Sequence, residues 1–132
     1  MSGSGLQTFS ALWRAYGEGR LERSLDLVAA DCEITLAESG PTLRGRDGVR
    51  AWLAATRHDW RTVTIMYEHV REERPGRVVA VGRLRASSAD GTANVDRPLA
   101  CVAEFGGGRL VRARVFADAD VALRYARSGA AR

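Results

Sequence analysis

The segment Gly45-Arg46-Asp47-Gly48-Val49-Arg50-Ala51-Trp52-Leu53-Ala54-Ala55 divides this chain into two halves of different character. Two short helical patterns and one strand pattern precede it. Only strand patterns and turns follow, until a last short helix. Gly45 and Asp47 suit the opening of a helix, where an acidic first turn complements the helix dipole. Val49, Trp52, Leu53 and Thr56 return at helical spacing and mark its buried side. Helices with apolar stripes, followed by a run of long strands, predict a single curved sheet with the helices laid on one face.

Upstream, Leu6, Phe9, Leu12, Trp13 and Tyr16 predict an amphipathic helix that Gly17 and Gly19 end. Leu21, Leu25 and Val28 predict a second short helix stopping near Asp31. Ile34 and Leu36 alternate with Glu33 and Thr35 as in a strand, and Gly40-Pro41 reads as a turn. Downstream, an antiparallel meander is predicted over residues 62–73, 77–88, 92–105 and 109–117. Pro75-Gly76, Asp90-Gly91 and Gly106-Gly107-Gly108 supply its turns. Asp118 or Asp120 then caps a helix containing Val121, Leu123 and Tyr125.

Tight turns fix strand register, so they predict which residues share a face. The Asp90-Gly91 turn sets Arg85 opposite Asp96, Val81 opposite Ala100 and Val79 opposite Val102. Pro75-Gly76 sets Glu68 opposite Arg83 and Val70 opposite Val81. The glycine loop, read as holding three residues, sets Glu104 opposite Arg112 and Phe116 opposite Ala100. Each turn yields one opposite-charge pair, and all three pairs fall on one face. That face, with Arg114 added, reads as a solvated ion-pair lattice. Between the charges lie Val70, Val79, Val81, Ala100, Val102 and Phe116, an apolar patch that predicts a homodimer through the outer sheet face.

The opposite face carries Ile65, Tyr67, His69, Gly82, Leu84, Arg97, Leu99, Cys101, Ala113 and Val115. Most are apolar and many are small, so a cavity is expected between this face and the helices. Tyr67 and His69 are the candidate catalytic pair. An imidazole in an apolar cavity exchanges protons near neutral pH, and a phenol donates to a developing oxyanion. Gly82 opposite His69 is expected to leave space beside it. Trp13, Tyr16 and Trp52 are expected to form an aromatic wall for a flat apolar ligand, with Leu36, Cys101, Ala113 and Val115 completing the lining. Glu38 at the mouth is a candidate base or orienting group, and Arg97 a candidate partner for a carboxylate or enolate. One bulge in a strand would exchange the two faces for the rest of that strand.

Composition narrows the partners. The chain has 132 residues, 45% hydrophobic and 27% charged, as in one soluble domain, read as residues 6–127 with flexible tails at 1–5 and 128–132. Every basic residue is arginine, which excludes a lysine Schiff base. The net charge of +4 is dispersed among acids with no basic run, so no nucleic-acid partner is expected. No apolar run approaches a membrane span, and the N-terminus lacks a signal-peptide core. Cys32 and Cys101 sit in apolar strand patterns and read as buried thiols, which suits the cytoplasm. Histidine is present only at positions 58 and 69, so no metal site is expected. Gly106-Gly107-Gly108 joins two strands rather than opening a helix, so no phosphate-binding cofactor loop is expected either.

The element order, with Leu21 to Asp31, the Gly45-Arg46-Asp47-Gly48 helix and Gly108-Arg109-Leu110-Val111-Arg112-Ala113-Arg114-Val115-Phe116-Ala117-Asp118, resembles the nuclear transport factor 2-like superfamily. Within it the chain is most similar to SnoaL-like and ketosteroid-isomerase-like small proteins, over about Leu6 to Tyr125. The resemblance implies an α+β fold, a cone-shaped barrel of a highly curved, mostly antiparallel sheet covered by N-terminal helices. It also implies a small-molecule pocket in the cone and dimers through sheet surfaces. It implies a small apolar or partly anionic ligand, and cofactor-free isomerase, cyclase or dehydratase chemistry, with a non-catalytic binding or dimerisation module as the alternative. The isomerase family's general-base aspartate aligns with Leu36, its oxyanion-hole aspartate with about Cys101, and its first-helix tyrosine with Leu12. None of these residues performs that proton chemistry.

Overall fold

The computed structural model describes residues 4–18, 20–36 and 42–127. Ten elements follow in order: α1 (Ser4–Gly17), α2 (Leu21–Leu25), β1 (Val28–Thr35), β2 (Thr42–Arg44), α3 (Gly45–Asp59), β3 (Trp60–Arg74), β4 (Arg77–Ser88), β5 (Asn94–Gly106), β6 (Arg109–Phe116) and α4 (Ala119–Arg127). The strands form one six-stranded sheet in the order β2-β1-β6-β5-β4-β3. Among the described strands only the β1–β6 pairing is parallel. The sheet curls into a half-barrel, giving the cone-like α+β fold expected from the element order.

Local chemistry explains most boundaries. α1 carries its apolar stripe onto the sheet, with Phe9 buried and Leu6, Leu12 and Tyr16 packed beside it. It starts at Ser4, inside the stretch expected to be a tail, because Gly5 is buried close to Val78 and Gly76. α2 is shorter than expected. It ends at Leu25, and Val28 begins a strand instead of continuing the helix to Asp31. Pairing decides this: Val28 stands opposite Leu110 on β6, and the Leu110 amide donates to Leu27 O at 2.7 Å. β2 is an additional short strand, hairpinned onto β1. Gly45 then turns the chain into α3 at φ 72°, where an added Cβ would stand 3.1 Å from Ala30 O. Arg50 on α3 donates to both Glu22 carboxylate oxygens, tying α3 to α2.

The turns set the register largely as expected. Arg85 pairs with Asp96, Val81 with Ala100 and Val79 with Val102 across β4–β5. Glu104 pairs with Arg112 and Ala100 with Phe116 across β5–β6. The expected three-residue loop is instead a two-residue turn on Gly107 and Gly108, at φ 61° and 76°, the left-handed pair such a turn between twisted strands requires, and an extra residue at Val111 recovers the expected register beyond it. β3 departs from expectation. Three extra residues, Arg61, Glu68 and Glu73, break its ladder with β4. Between Glu73 and Glu68 the register is displaced by one residue, so His69 lies opposite Val81 and Val70 opposite Ala80. The Glu68 bulge restores the original parity, and Tyr67 lies opposite Gly82. Met66, not Glu68, faces Arg83.

The core has two parts, one on each side of the sheet. Phe9, Leu25, Val28, Cys32, Val49, Val78, Ala80, Ala103, Leu110 and Ala113 fill the concave side beneath the helices. On the convex side α4 packs Ala122 and Ala126 onto Val79, Ala100, Val102 and Phe116. This corrects the expected dimer surface. Val79, Ala100, Val102 and Phe116 are at most 3% exposed because α4 covers them, and Val81 is half-buried beside them. Val70 packs against the concave cluster, moved there by the β3 bulges.

Asp118 caps α4 by accepting from the Asp120 and Val121 amides at 2.7 and 3.3 Å. At the other end the Ala126 and Arg127 carbonyls accept from Arg77 and Arg74, both at 2.9 Å. These cations also complement the negative end of the helix dipole. The Arg114 guanidinium lies 5.1 Å from the Tyr125 ring centre, a further clasp on the same helix.

Candidate functional site: an aromatic-walled cone

The concave face is organised in cross-strand rows, one inward-facing residue per strand. Moving outward, Val78, Ala103 and Ala113 form one row, and Ala80, Cys101 and Val115 the next. Tyr67, Gly82 and Leu99 follow, then Ile65, Leu84 and Arg97. Successive rows lie about 7 Å apart, the length of two strand residues. The inner rows carry small side chains, so α1, α2 and α3 cannot fill the curve. A cavity of about 840 Å³ remains. Residue burial falls outward, from Val78 at 0% exposure to an exposed Arg97 at the mouth.

Seven of the expected lining residues border this cavity: Trp13, Tyr16, Leu36, Arg97, Cys101, Ala113 and Val115. Tyr67 borders it as well. Trp52 lies on α3, and its side chain is outside the described residues, as is Glu38 altogether. His69 does not border the cavity. The bulge at Glu68 turns it to the convex side, where it lines a shallow second pocket with Glu68, Arg71, Val81, Ala119 and Leu123. The expected Tyr67–His69 pair is therefore separated by the sheet itself. Gly82 does not leave free space either. β3 crosses so closely that a Cβ at Gly82 would lie 1.8 Å from Met66 O and 2.7 Å from Tyr67 Cα.

Five rings build one wall of the cone. Trp13 lies 5.3 Å from Tyr16 and 5.1 Å from Tyr67, and Phe9 lies 5.5 Å from Tyr67 and 6.5 Å from Phe105, between centres. Phe9 and Phe105 were outside the expected ligand set. Phe9 belonged to the same helical stripe as Trp13, so the signal was there. Phe105 shares the strand parity of Cys101 on β5, so alternation carried its signal.

The electrostatics of the cone are simple. Among the described residues, its lining contains no histidine, aspartate or glutamate, and Arg97 is its single charge. Burial, followed by the neighbouring Cys101, pushes the Tyr67 phenol far above the usual tyrosine range. Tyr67 is therefore a permanent donor and never a base near neutral pH. No described residue accepts from its hydroxyl. Burial pushes the Cys101 thiol up to about 12, so it too remains protonated. Cys32, also a free thiol, is shifted in the same direction by burial. Leu36, Cys101 and Leu12, the positions where the steroid-isomerase resemblance would place catalytic groups, all face the cavity. These residues make the cavity wall apolar at those positions. Among the described residues no three histidine, cysteine or acidic side chains gather as a metal cluster.

This chain belongs to the SnoaL-like domain family, whose model matches residues 9–113. Its half-barrel cone with helices on the concave side is the fold of NTF2-like proteins. Solved structures share the fold. An NTF2-like protein of unknown function from Burkholderia pseudomallei is 22% identical, with TM-score 0.78, covering 97% of this chain and 100% of that one. TerC, co-crystallised with polyporic acid, is 18% identical with TM-score 0.77, covering 95% and 99%. A hypothetical protein with a ketosteroid isomerase-like fold from Catenulispora acidiphila, in complex with trimethylamine, is 17% identical with TM-score 0.72, covering 82% of each chain. A comparison with curated proteins finds no match.

Proposed function

We propose that this protein binds a mostly apolar small molecule in the cone, with Tyr67 donating a hydrogen bond to an acceptor on that molecule. The supporting observation is the 840 Å³ cavity, whose described lining is mostly aromatic and aliphatic and holds a neutral phenol that no described residue engages. The shared fold with small-molecule complexes is consistent with this reading. Buried free thiols at Cys32 and Cys101 suit a reducing compartment such as the cytoplasm.

A second reading is cofactor-free acid–base catalysis on the bound molecule. One observation favours it: a neutral phenol fixed by packed rings is suited to stabilise an oxyanion. The described lining offers no general base to accompany it, so binding is the leading reading.

The test is titration with a panel of aromatic ketones, followed by quenching of tryptophan fluorescence. Saturable quenching is expected, with affinity about fivefold weaker in Tyr67→Phe, the worth of one neutral hydrogen bond. No quenching by any ketone up to its solubility would sink the proposal. Turnover of an enolisable member, lost in Tyr67→Phe and retained in His69→Ala, would move the conclusion to the catalytic reading.

A further inference from the structure

We infer that the molecule held in the cone is an amphipathic organic anion, with an aromatic body against the ring wall and an acidic group at Arg97. It rests on the cone being a ligand site.

The first reason is where charge is balanced and where it is not. On the convex face four arginines have acids, and a fifth, Arg114, lies over the Tyr125 ring. Arg83 and Arg85 share Asp96 at 2.9 and 3.5 Å, and Arg77 and Arg112 share Glu104 at 2.7 and 3.6 Å. Arg97 follows Asp96 directly in sequence, yet strand alternation sends the two side chains to opposite faces. Among the described residues no carboxylate lies within ion-pair reach of Arg97, and no acid lines the cavity. Among the described residues the cone thus carries a positive charge that no acid compensates, set against low-dielectric walls, which favours an anion there.

The second reason is position. Arg97 stands on the outermost polar row, one row beyond Tyr67, and is exposed at the mouth. An empty cone therefore does not bury its guanidinium, so water solvates it without cost. A ligand whose apolar body enters past Leu99 would leave its acidic end beside the guanidinium, where two parallel N–H donors match a carboxylate or sulfonate. The ring wall of Phe9, Trp13, Tyr16 and Tyr67 favours an aromatic body.

The test compares two probes with the same aromatic body, anionic anilinonaphthalene sulfonate and uncharged N-phenylnaphthylamine. Both are titrated by fluorescence against the parent, Arg97→Gln and Arg85→Gln, each checked by thermal melting. The parent is expected to prefer the sulfonate by about tenfold, the usual scale of a charge-assisted hydrogen bond. Arg97→Gln is expected to erase that preference while leaving the neutral probe within about twofold. Arg85→Gln, on the convex face, is expected to change neither. Equal parent affinity for both probes, or equal loss of the sulfonate in Arg85→Gln, overturns the inference while the cone remains a binding site. Failure of both probes to bind the parent removes the ligand site itself, and the inference with it.

Discussion

At the scale of single residues, burial keeps the cone's thiol and phenol neutral. The Cys101 thiol shows this most directly. Unfolded, it loses its proton above about pH 9, whereas folded it keeps it to about 12. The unfolded state is therefore favoured as pH rises through that window, by roughly 1.4 kcal/mol per pH unit. Tyr67 acts in the same sense above the ordinary tyrosine range. The chain has no lysine, so few other groups titrate in this interval. Denaturation at pH 9, 10 and 11 should show falling stability, with a shallower fall in Cys101→Ala. An unchanged slope in that variant would contradict the assignment. Which cone residues face inward was legible for Trp13, Tyr16, Cys101 and Arg97, because helical spacing and strand alternation place them. His69 was not legible. Its side depends on bulges that lack any glycine or proline signal.

At the scale of elements, β3 and α4 carry the structure's departures from simple pattern. The segment Met66-Tyr67-Glu68-His69-Val70 gives no reason to place a bulge at Glu68 rather than elsewhere. The close crossing of β3 over Gly82 marks the site in the folded chain. Gly82→Ala should destabilise the fold by about 3 kcal/mol or more, since its Cβ would stand 1.8 Å from Met66 O. A melting temperature within about 2 °C of the parent would show that β3 can retreat freely. α4 is nine residues long, too short to be stable alone, and depends on its cap and its packing. Asp118→Ala should cost about 1 kcal/mol, measured by urea denaturation. The cap was readable from the sequence. The arginines that hold the opposite end, Arg74 and Arg77, were not, because they come from a distant hairpin.

At the scale of the whole molecule, the sheet carries two apolar faces with different fates. The concave one is only partly filled, which leaves the cone. The convex one is closed by α4, where Ala122 and Ala126 are fully buried against Val79, Ala100, Val102 and Phe116. Small residues at those helix positions allow the helix to sit flat on the sheet. Ala122→Glu should force α4 away and uncover that patch. Sedimentation should then show concentration-dependent association of the variant beyond that of the parent. Identical sedimentation of the two would mean that α4 does not keep the convex face from contact.

Alternation, helical spacing and turn chemistry are properties of neighbouring residues, so the sequence alone determined the order of the helices and long strands, the β4–β5 register and the inward face of β4 and β5. The end of α2, the bulges of β3 and the docking of α4 depend on partners far along the chain. Tertiary pairing and packing decided them, and with them the separation of His69 from Tyr67 and the closing of the patch once expected to join two copies.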